Sequence, residues 1–219
     1  PSLAQSSGSI PDRFTVDVDD SRMLHGSRTG DGWTYDKTRT QIHDTYLRQQ
    51  MYGGRVVKDP EFRLMGGGPS SGKSSLIESG SVRLPEGHVL VNADDAKALL
   101  PEYRAGIAAG NRRAAEFVHE ESSDMAKRLA SESLRAGHNT VIDGVGDGDI
   151  KSLVLKIQTA RANGAKRIVG DYVTVDTNEA IRRALLRGTE TGRHVPETVI
   201  RDTHAAVSRT FREAARRNL

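Results

Sequence analysis

Residues 61–80, EFRLMGGGPSSGKSSLIESG, restrict the possible folds of this chain more than any other stretch. An apolar run, Phe62 to Met65, stops at Gly66, Gly67 and Gly68, and Lys73-Ser74-Ser75 begins five residues after the last of these. A short apolar run closed by glycine reads as a buried strand, and the Lys73 to Ser79 segment, ended by Gly80, reads as a helix. A strand feeding a helix through a tight glycine turn is half of a βαβ unit, which belongs to parallel sheets.

The turn itself is Gly67-Gly68-Pro69-Ser70-Ser71-Gly72-Lys73-Ser74, a complete G-x-x-x-x-G-K-S. Glycines at these positions let successive N–H groups face a phosphate, and the start of the following helix adds its positive end. Lys73 would reach the outer phosphates, the Ser74 hydroxyl would bind Mg²⁺, and Ser75 follows within the loop's reach. Two shorter patterns overlap it. Gly68 to Gly72 fits G-x-S-x-G and Ser70 to Lys73 fits S-x-x-K, and either would make Ser70 a nucleophile. Both are contained in the longer pattern, and no S-D-N or K-T-G set accompanies the second. A glycine turn without a ligand is the plain alternative, but motif and flanking elements agree on a phosphate loop.

The rest of the chain repeats the same grammar. HVLVNA, NTVIDG and KRIVGDYVTVD read as further strands. DDAKALL is a short helix halted by Pro101, and a long helix is expected from about residue 112 to Arg135. DIKSLVLKIQTARANG is a helix closed by Gly164, TNEAIRRALLRG opens on a capping residue, and a final helix starts near Pro196. Short strands alternating with amphipathic helices predict an α/β fold: a P-loop NTPase-type parallel sheet flanked by helices, in three layers. Residues 1 to about 30, rich in Ser, Gly and Asp, read as a loosely ordered arm. A helix follows with Tyr35, Ile42, Tyr46 and Leu47 on one face. The expected organisation is an N-terminal arm and helix over 1–57 and a P-loop domain over 58–219.

Composition narrows the setting. With 219 residues, 36% of them hydrophobic, the chain can bury one sizeable core. A net charge of +3 is too weak to argue for nucleic acid by itself. Without cysteine there is no disulfide, thiolate metal site or thiol nucleophile. No run has the length of a membrane span and the first ten residues lack a secretory signal, so the cytoplasm is expected. A first residue that is Pro rather than Met suggests a trimmed or excised chain.

Three acidic or basic groups could join the loop in chemistry. Asp94 and Asp95 follow directly on a strand, where ligands gather in sheets of this kind. A carboxylate there could take the proton of an attacking hydroxyl; equally, either acid could cap the next helix, and both readings stand. Asp143 ends another apolar strand, as an Mg²⁺-orienting carboxylate does, or simply forms an Asp-Gly turn. Arg187 and Arg193 flank a Gly-Thr-Glu-Thr-Gly segment that suits a lid over a triphosphate. Arg182 and Arg183 read as solvated surface, as do most of the arginines in the closing helix. HEESS at 119–123 lacks a second histidine for a metalloprotease helix, and DVDD at 17–20 lacks the rest of a calcium loop.

LMGGGPSSGKSS, VNADDAKALLPEY, NTVIDGVGDG and LLRGTETGRHVPETVI, in this order, resemble the zeta-toxin family of bacterial P-loop kinases over roughly residues 45–219. The resemblance implies transfer of a phosphate from ATP or GTP, with Mg²⁺, to a sugar hydroxyl of UDP-N-acetylglucosamine. It implies phosphate and metal binding by Lys73 and Ser74, a general base at Asp94, and phosphate-clamping arginines at Arg187 and Arg193. Asp143 stands where the family has a carboxylate near the substrate, and Glu120 or Glu121 is a candidate for another. An antitoxin partner is implied as well. Val145 departs from the family, which tends to have Thr there, the segment between Arg187 and Arg193 is short, and the chain ends where another strand is expected.

The expected function is therefore an Mg²⁺-dependent small-molecule kinase, with a toxin role in a toxin–antitoxin pair. Rival readings are a kinase of another hydroxyl such as the NAD ribose, a polynucleotide 5′-kinase, and a nucleotide-binding module without turnover. The polynucleotide reading is disfavoured because aromatics are only 5% of the chain, too few for a base-stacking surface. Residues 1–57 could act in cis in place of an antitoxin.

Overall fold

From the first described residue the chain runs α1 (Arg22–His25), β1 (Gly26–Thr29), β2 (Gly32–Tyr35), α2 (Lys37–Met51), β3 (Glu61–Gly66), α3 (Lys73–Glu78), β4 (Val89–Val91) and α4 (Ala93–Leu99). It continues through α5 (Pro101–Ala108), α6 (Ala114–Phe117), α7 (His119–Arg135), β5 (Thr140–Asp143), α8 (Ile150–Ala162), β6 (Arg167–Tyr172), α9 (Thr177–Thr191) and α10 (Glu197–Arg216). This computed structural model describes residues 20–30, 32–111, 113–191 and 195–219, except the side chains of residues 190 and 191. The chain divides into two units, Pro1–Tyr52 with Asn92–Leu129, and Gly53–Val91 with Ala130–Leu219.

The second unit is built on a four-stranded parallel sheet in the order β4-β5-β3-β6. β3 lies in its interior, which is why its burial is nearly continuous from Glu61 to Gly66 rather than alternating. Phe62 and Leu64 pack with Leu153, Ile157 and Ala160 of α8 and Ala214 of α10. Ala180, Ile181 and Ala184 of α9 meet Ile200 of α10 in a second cluster. The expected α/β fold, a parallel sheet flanked by helices, is the one observed. The caps also follow the sequence logic: Asp149 accepts a hydrogen bond from the Ser152 amide at 2.9 Å at the start of α8.

The first unit departs from the sequence reading in three ways. Residues 20–30 are not a loose arm. They form α1 and the strand β1, which pairs antiparallel with β2 in register Gly26↔Tyr35 to Thr29↔Gly32. The hairpin is held by side chains rather than by its own core. Arg22 pairs with Asp20 and stands 4.8 Å from the centre of the Trp33 ring, while the Tyr35 hydroxyl donates to Asp124 at 2.7 Å.

The long helix expected up to Arg135 is broken at Val118 into α6 and α7. Val118 has φ −101° and ψ 6° and is fully buried. At the break the Phe117 carbonyl accepts from the Ser21 amide at 2.9 Å. This backbone contact joins residues distant in sequence, and no local pattern announces it.

The buried face of α2 carries Arg39, His43, Tyr46 and Leu47, so two polar residues stand where Tyr35 and Ile42 were expected. Arg39, 2% exposed, donates to both oxygens of Glu102 at 3.0 and 2.8 Å and to both of Glu121 at 2.6 and 2.8 Å. The His43 Nε2–H donates to Glu121 at 2.7 Å and the Ser21 hydroxyl donates to it at 2.8 Å. Burial favours the neutral acid, but these donors outweigh it and hold the Glu121 carboxyl down at about 2.

Candidate functional site

The phosphate loop joins β3 to α3, and each of its leading glycines is required for a different reason. A Cβ at Gly66 would lie 2.7 Å from the Tyr172 ring, and one at Gly67 would lie 2.6 Å from the Ser71 hydroxyl and 2.7 Å from the Val173 carbonyl. At Gly68 it would meet the His204 imidazole at 2.2 Å. Gly72 is different again: its φ of 95° is left-handed, a conformation that only glycine adopts without strain. Ser70 takes φ 59° without that freedom, the kind of backbone strain that collects at ligand sites.

The loop is stitched to both neighbouring strand ends. Gly67 N–H donates to the Val145 carbonyl at 2.8 Å, and Val173 N–H donates to the Gly66 carbonyl at 2.9 Å. Tyr172 stacks on Phe211 of α10 at 4.4 Å between ring centroids, and Gly146 is close-packed against Tyr172 and Val207. One face of α10 therefore backs the loop, the β5 exit and the β6 exit together.

Within this frame Lys73 Nζ donates to the Gly67 carbonyl at 3.0 Å. Burial lowers the Lys73 pKa first; the Asp143 carboxylate raises it and the Arg187 cation lowers it. Asp143 and Arg187 each therefore lie within electrostatic reach of Lys73. Asp143 sits at the β5 terminus opposite Met65 of β3. Arg187 is on α9, which stays helical through Thr191; the expected Gly-Thr-Glu-Thr loop is therefore helix, at least up to that residue. Arg193 lies outside the described residues.

Arg183, read from sequence as plain surface, is one turn before Arg187, and its Nη1 lies 3.3 Å from where a Cβ on Gly72 would be. Glu179 holds its Nε at 2.7 Å. Arg182 also pairs with Glu179 and has an exposed side chain. A spacing of four residues on one helix face was the available signal for pairing Arg183 with Arg187.

The loop's donors suit a polyphosphate. The hydroxyls of Ser70 and Ser71 are buried, and among the described residues they have no hydrogen-bond partner. The same observation weakens the reading of Ser70 as a nucleophile, which requires a base bonded to it. Ser74, in the first turn of α3, is exposed. Ser74 and Asp143 offer oxygen donors, the type Mg²⁺ prefers, and among the described residues no cluster of three His, Asp or Glu could hold a metal alone. Such a sparse set fits a cation whose remaining ligands are nucleotide phosphates and water.

The other candidates belong to the unit containing α4. The Asn92 side chain caps that helix by accepting from Asp94 N–H at 2.9 Å, so the capping role falls to neither aspartate. The Asp94 Oδ1 accepts from Lys97 Nζ at 2.9 Å, which explains the Asp-x-x-Lys spacing. Asp95 is exposed. Glu120 is exposed, with an oxygen 3.8 Å from Arg22, whereas its neighbour Glu121 is committed to the buried cluster around Arg39. Among the described residues no helix is long and apolar enough to cross a membrane.

Comparison with known proteins sets this geometry in context. No curated protein sequence matches the chain. Among solved structures it is similar to a chain of the PezAT chromosomal toxin–antitoxin system of Streptococcus pneumoniae (TM-score 0.62, 17% identity, 72% of this chain and 64% of that one). It is similar to AvrRxo1-ORF1:ORF2 with ATP (TM-score 0.66, 17% identity, 91% of this chain and 68% of that one). A third likeness is to the Pnkp1/Rnl/Hen1 RNA repair complex (TM-score 0.52, 20% identity, 73% of this chain and 47% of that one). The chain thus spans less than two thirds of the length of the first and third of these. These likenesses establish the P-loop kinase-like fold. The family profile described as Zeta toxin matches residues 43–218, and the chain belongs to that family.

Proposed function

We propose that this chain is an Mg²⁺-dependent kinase that transfers the γ-phosphate of ATP or GTP to a hydroxyl of a small molecule, with UDP-N-acetylglucosamine as the leading acceptor. The observation that carries this reading is the loop at 67–75. Its buried hydroxyls, left-handed Gly72 and lysine under the influence of Asp143 and Arg187 form a polyanion cradle in a chain of the zeta toxin family.

Phosphoryl transfer asks little covalent chemistry of the protein and a great deal of positioning and charge stabilisation. In this reading the amides of the loop and the Ser70, Ser71 and Ser75 hydroxyls bind and orient the triphosphate. Lys73 moves from the Gly67 carbonyl to the outer phosphates, and Arg187, with Arg193, neutralises charge on the transferring group. Ser74 and Asp143 would hold Mg²⁺, which when bound adds charge neutralisation between the outer phosphates. Asp94 takes the acceptor proton, with Lys97 orienting its carboxylate; Asp143 and Glu120 are the carboxylates assigned to acceptor binding. An antitoxin partner, blocking toxicity in the host, accompanies the family assignment.

The test is an incubation of the protein with Mg-ATP or Mg-GTP and a panel of UDP-sugars, NAD and 5′-hydroxyl oligonucleotides, read by mass spectrometry. A UDP-sugar one phosphate heavier, absent with Asp94→Asn, is expected. Phosphorylated NAD or oligonucleotide would keep the chemistry and replace the acceptor. Nucleotide binding without any product would overturn the kinase reading in favour of a binding module.

A further inference from the structure

We propose that His204 is a positioning residue for the nucleotide loop, and that Gly68 is glycine because of it. The inference rests on reading 67–75 as that loop. The G-x-x-x-x-G-K-S pattern makes no demand at its second position, and Gly68 does not have a positive φ, so conformation does not require glycine there. Space does. A Cβ would lie 2.2 Å from His204 Cδ2, 2.4 Å from Nε2 and 2.6 Å from Cγ, well inside any tolerable contact.

The imidazole is 6% exposed and arises from the middle of α10, a 20-residue helix. Its Nε2 lies 2.9 Å from the Pro69 carbonyl oxygen. A carbonyl only accepts, so Nε2 carries the proton and donates. Proline at 69 supplies no amide, and its carbonyl is anchored from outside the loop by this ring. The same helix face carries Val207 against Gly146 and Phe211 against Tyr172, so the ring is fixed by a packed helix rather than by a mobile side chain. His204 thus sets the height of residues 68–70 above the sheet, and with it the aim of the Ser70 and Ser71 hydroxyls and of the following amides. It touches no phosphate itself.

The test uses the full chain, with His204→Phe (ring volume without a donor), His204→Gln (a donor retained), Gly68→Ala, and Gly68→Ala combined with His204→Ala. ATP affinity is measured by calorimetry, and hydrogen exchange of the amides of residue 68 and residues 70–73 is measured without nucleotide. Removing one buried hydrogen bond should weaken ATP binding on the order of tenfold in His204→Phe and speed loop exchange, while exchange in the β3 and α10 amides stays slow. His204→Gln should recover most of the affinity. Gly68→Ala should weaken binding more than His204→Phe does, and adding His204→Ala should bring the affinity back to the His204→Phe level by vacating the ring's space.

Wild-type affinity and loop exchange in His204→Phe would overturn the proposal. So would Gly68→Ala combined with His204→Ala binding no better than Gly68→Ala alone. Wild-type protein that binds no nucleoside triphosphate would defeat the functional reading instead; the exchange measurement then decides the positioning role alone, a loop unchanged in His204→Phe overturning it and a loosened loop supporting it.

Discussion

In the unit that holds the hairpin, Arg39 is buried and its guanidinium donates to two carboxylates, Glu102 and Glu121, the latter also receiving His43 and Ser21. In the unit that holds the sheet, the polar groups of the phosphate loop are arranged in the opposite sense. Ser70 and Ser71 bury hydroxyls to which the described residues offer no partner, and the Lys73 ammonium rests on the carbonyl of its own loop. Both regions bury polar groups at a desolvation cost, but only one recovers it from protein partners. A structural polar cluster, whose charges are matched internally, thus differs from a candidate binding site, whose buried hydroxyls lack a partner among the described residues. Burial of polar groups alone would not distinguish them; their partners do.

The largest expected effect falls on catalysis and not on either cluster's stability. Asp94→Asn should lower turnover by about 10²- to 10⁴-fold, the usual contribution of a positioned base, while ATP affinity changes less than about twofold. Equal loss of both, measured by product mass and calorimetry, would show that Asp94 belongs with the structural polar groups.

Next is the internal pairing. Arg39→Met leaves Glu102 and Glu121 buried without their cation and should cost about 3–5 kcal/mol in urea unfolding. Replacing Arg39, Glu102 and Glu121 together by apolar residues of similar volume should recover most of this. A variant in which Arg39→Met is neutral would break the comparison at its first term.

Acid should act on the same cluster. The Glu121 carboxyl is held at about 2, below its ordinary value of 4.5, so it binds a proton more readily unfolded than folded. Its contribution is therefore present above about pH 4.5 and lost as the pH falls towards about 2. The urea midpoint should fall across that window, and less steeply in Glu121→Gln. An unchanged slope would remove Glu121 from the account.

The smallest effects sharpen the comparison on one helix. Arg182→Ala, at an exposed partner of Glu179, should leave both the urea midpoint and ATP affinity unchanged. Arg183→Ala, beside Gly72, should weaken ATP binding severalfold. Equal effects in calorimetry would mean that nearness to the loop confers nothing.

Much of the fold was legible because its signals are local. A glycine-closed apolar run, a capping Asp149 and a Gly-stopped helix each depend on residues within one turn or one strand. The loop at 67–74 was legible for the same reason, since contiguous residues make the whole cradle. The hairpin of residues 26–35 was not, because its partners lie about a hundred residues away at Glu121 and Asp124, joined to it through Ser21 and Arg22. The break at Val118 was hidden likewise, the Phe117 carbonyl just before it accepting from Ser21. Arg183 is exposed, as read from the sequence, but its approach to Gly72 was hidden, because helix periodicity tells which residues share a face and not what that face meets.

The amino-acid sequence by itself determined the parallel α/β scheme, the phosphate loop and the family, since strand length, helix period and a contiguous motif are properties of neighbouring residues. Only the tertiary structure decided that Arg39 is interior and that Gly68 answers to His204. Each of these depends on distances between atoms that the chain brings together only after it folds, and a hydrogen bond or a steric limit acts over a few ångströms of space regardless of the residues intervening in the chain.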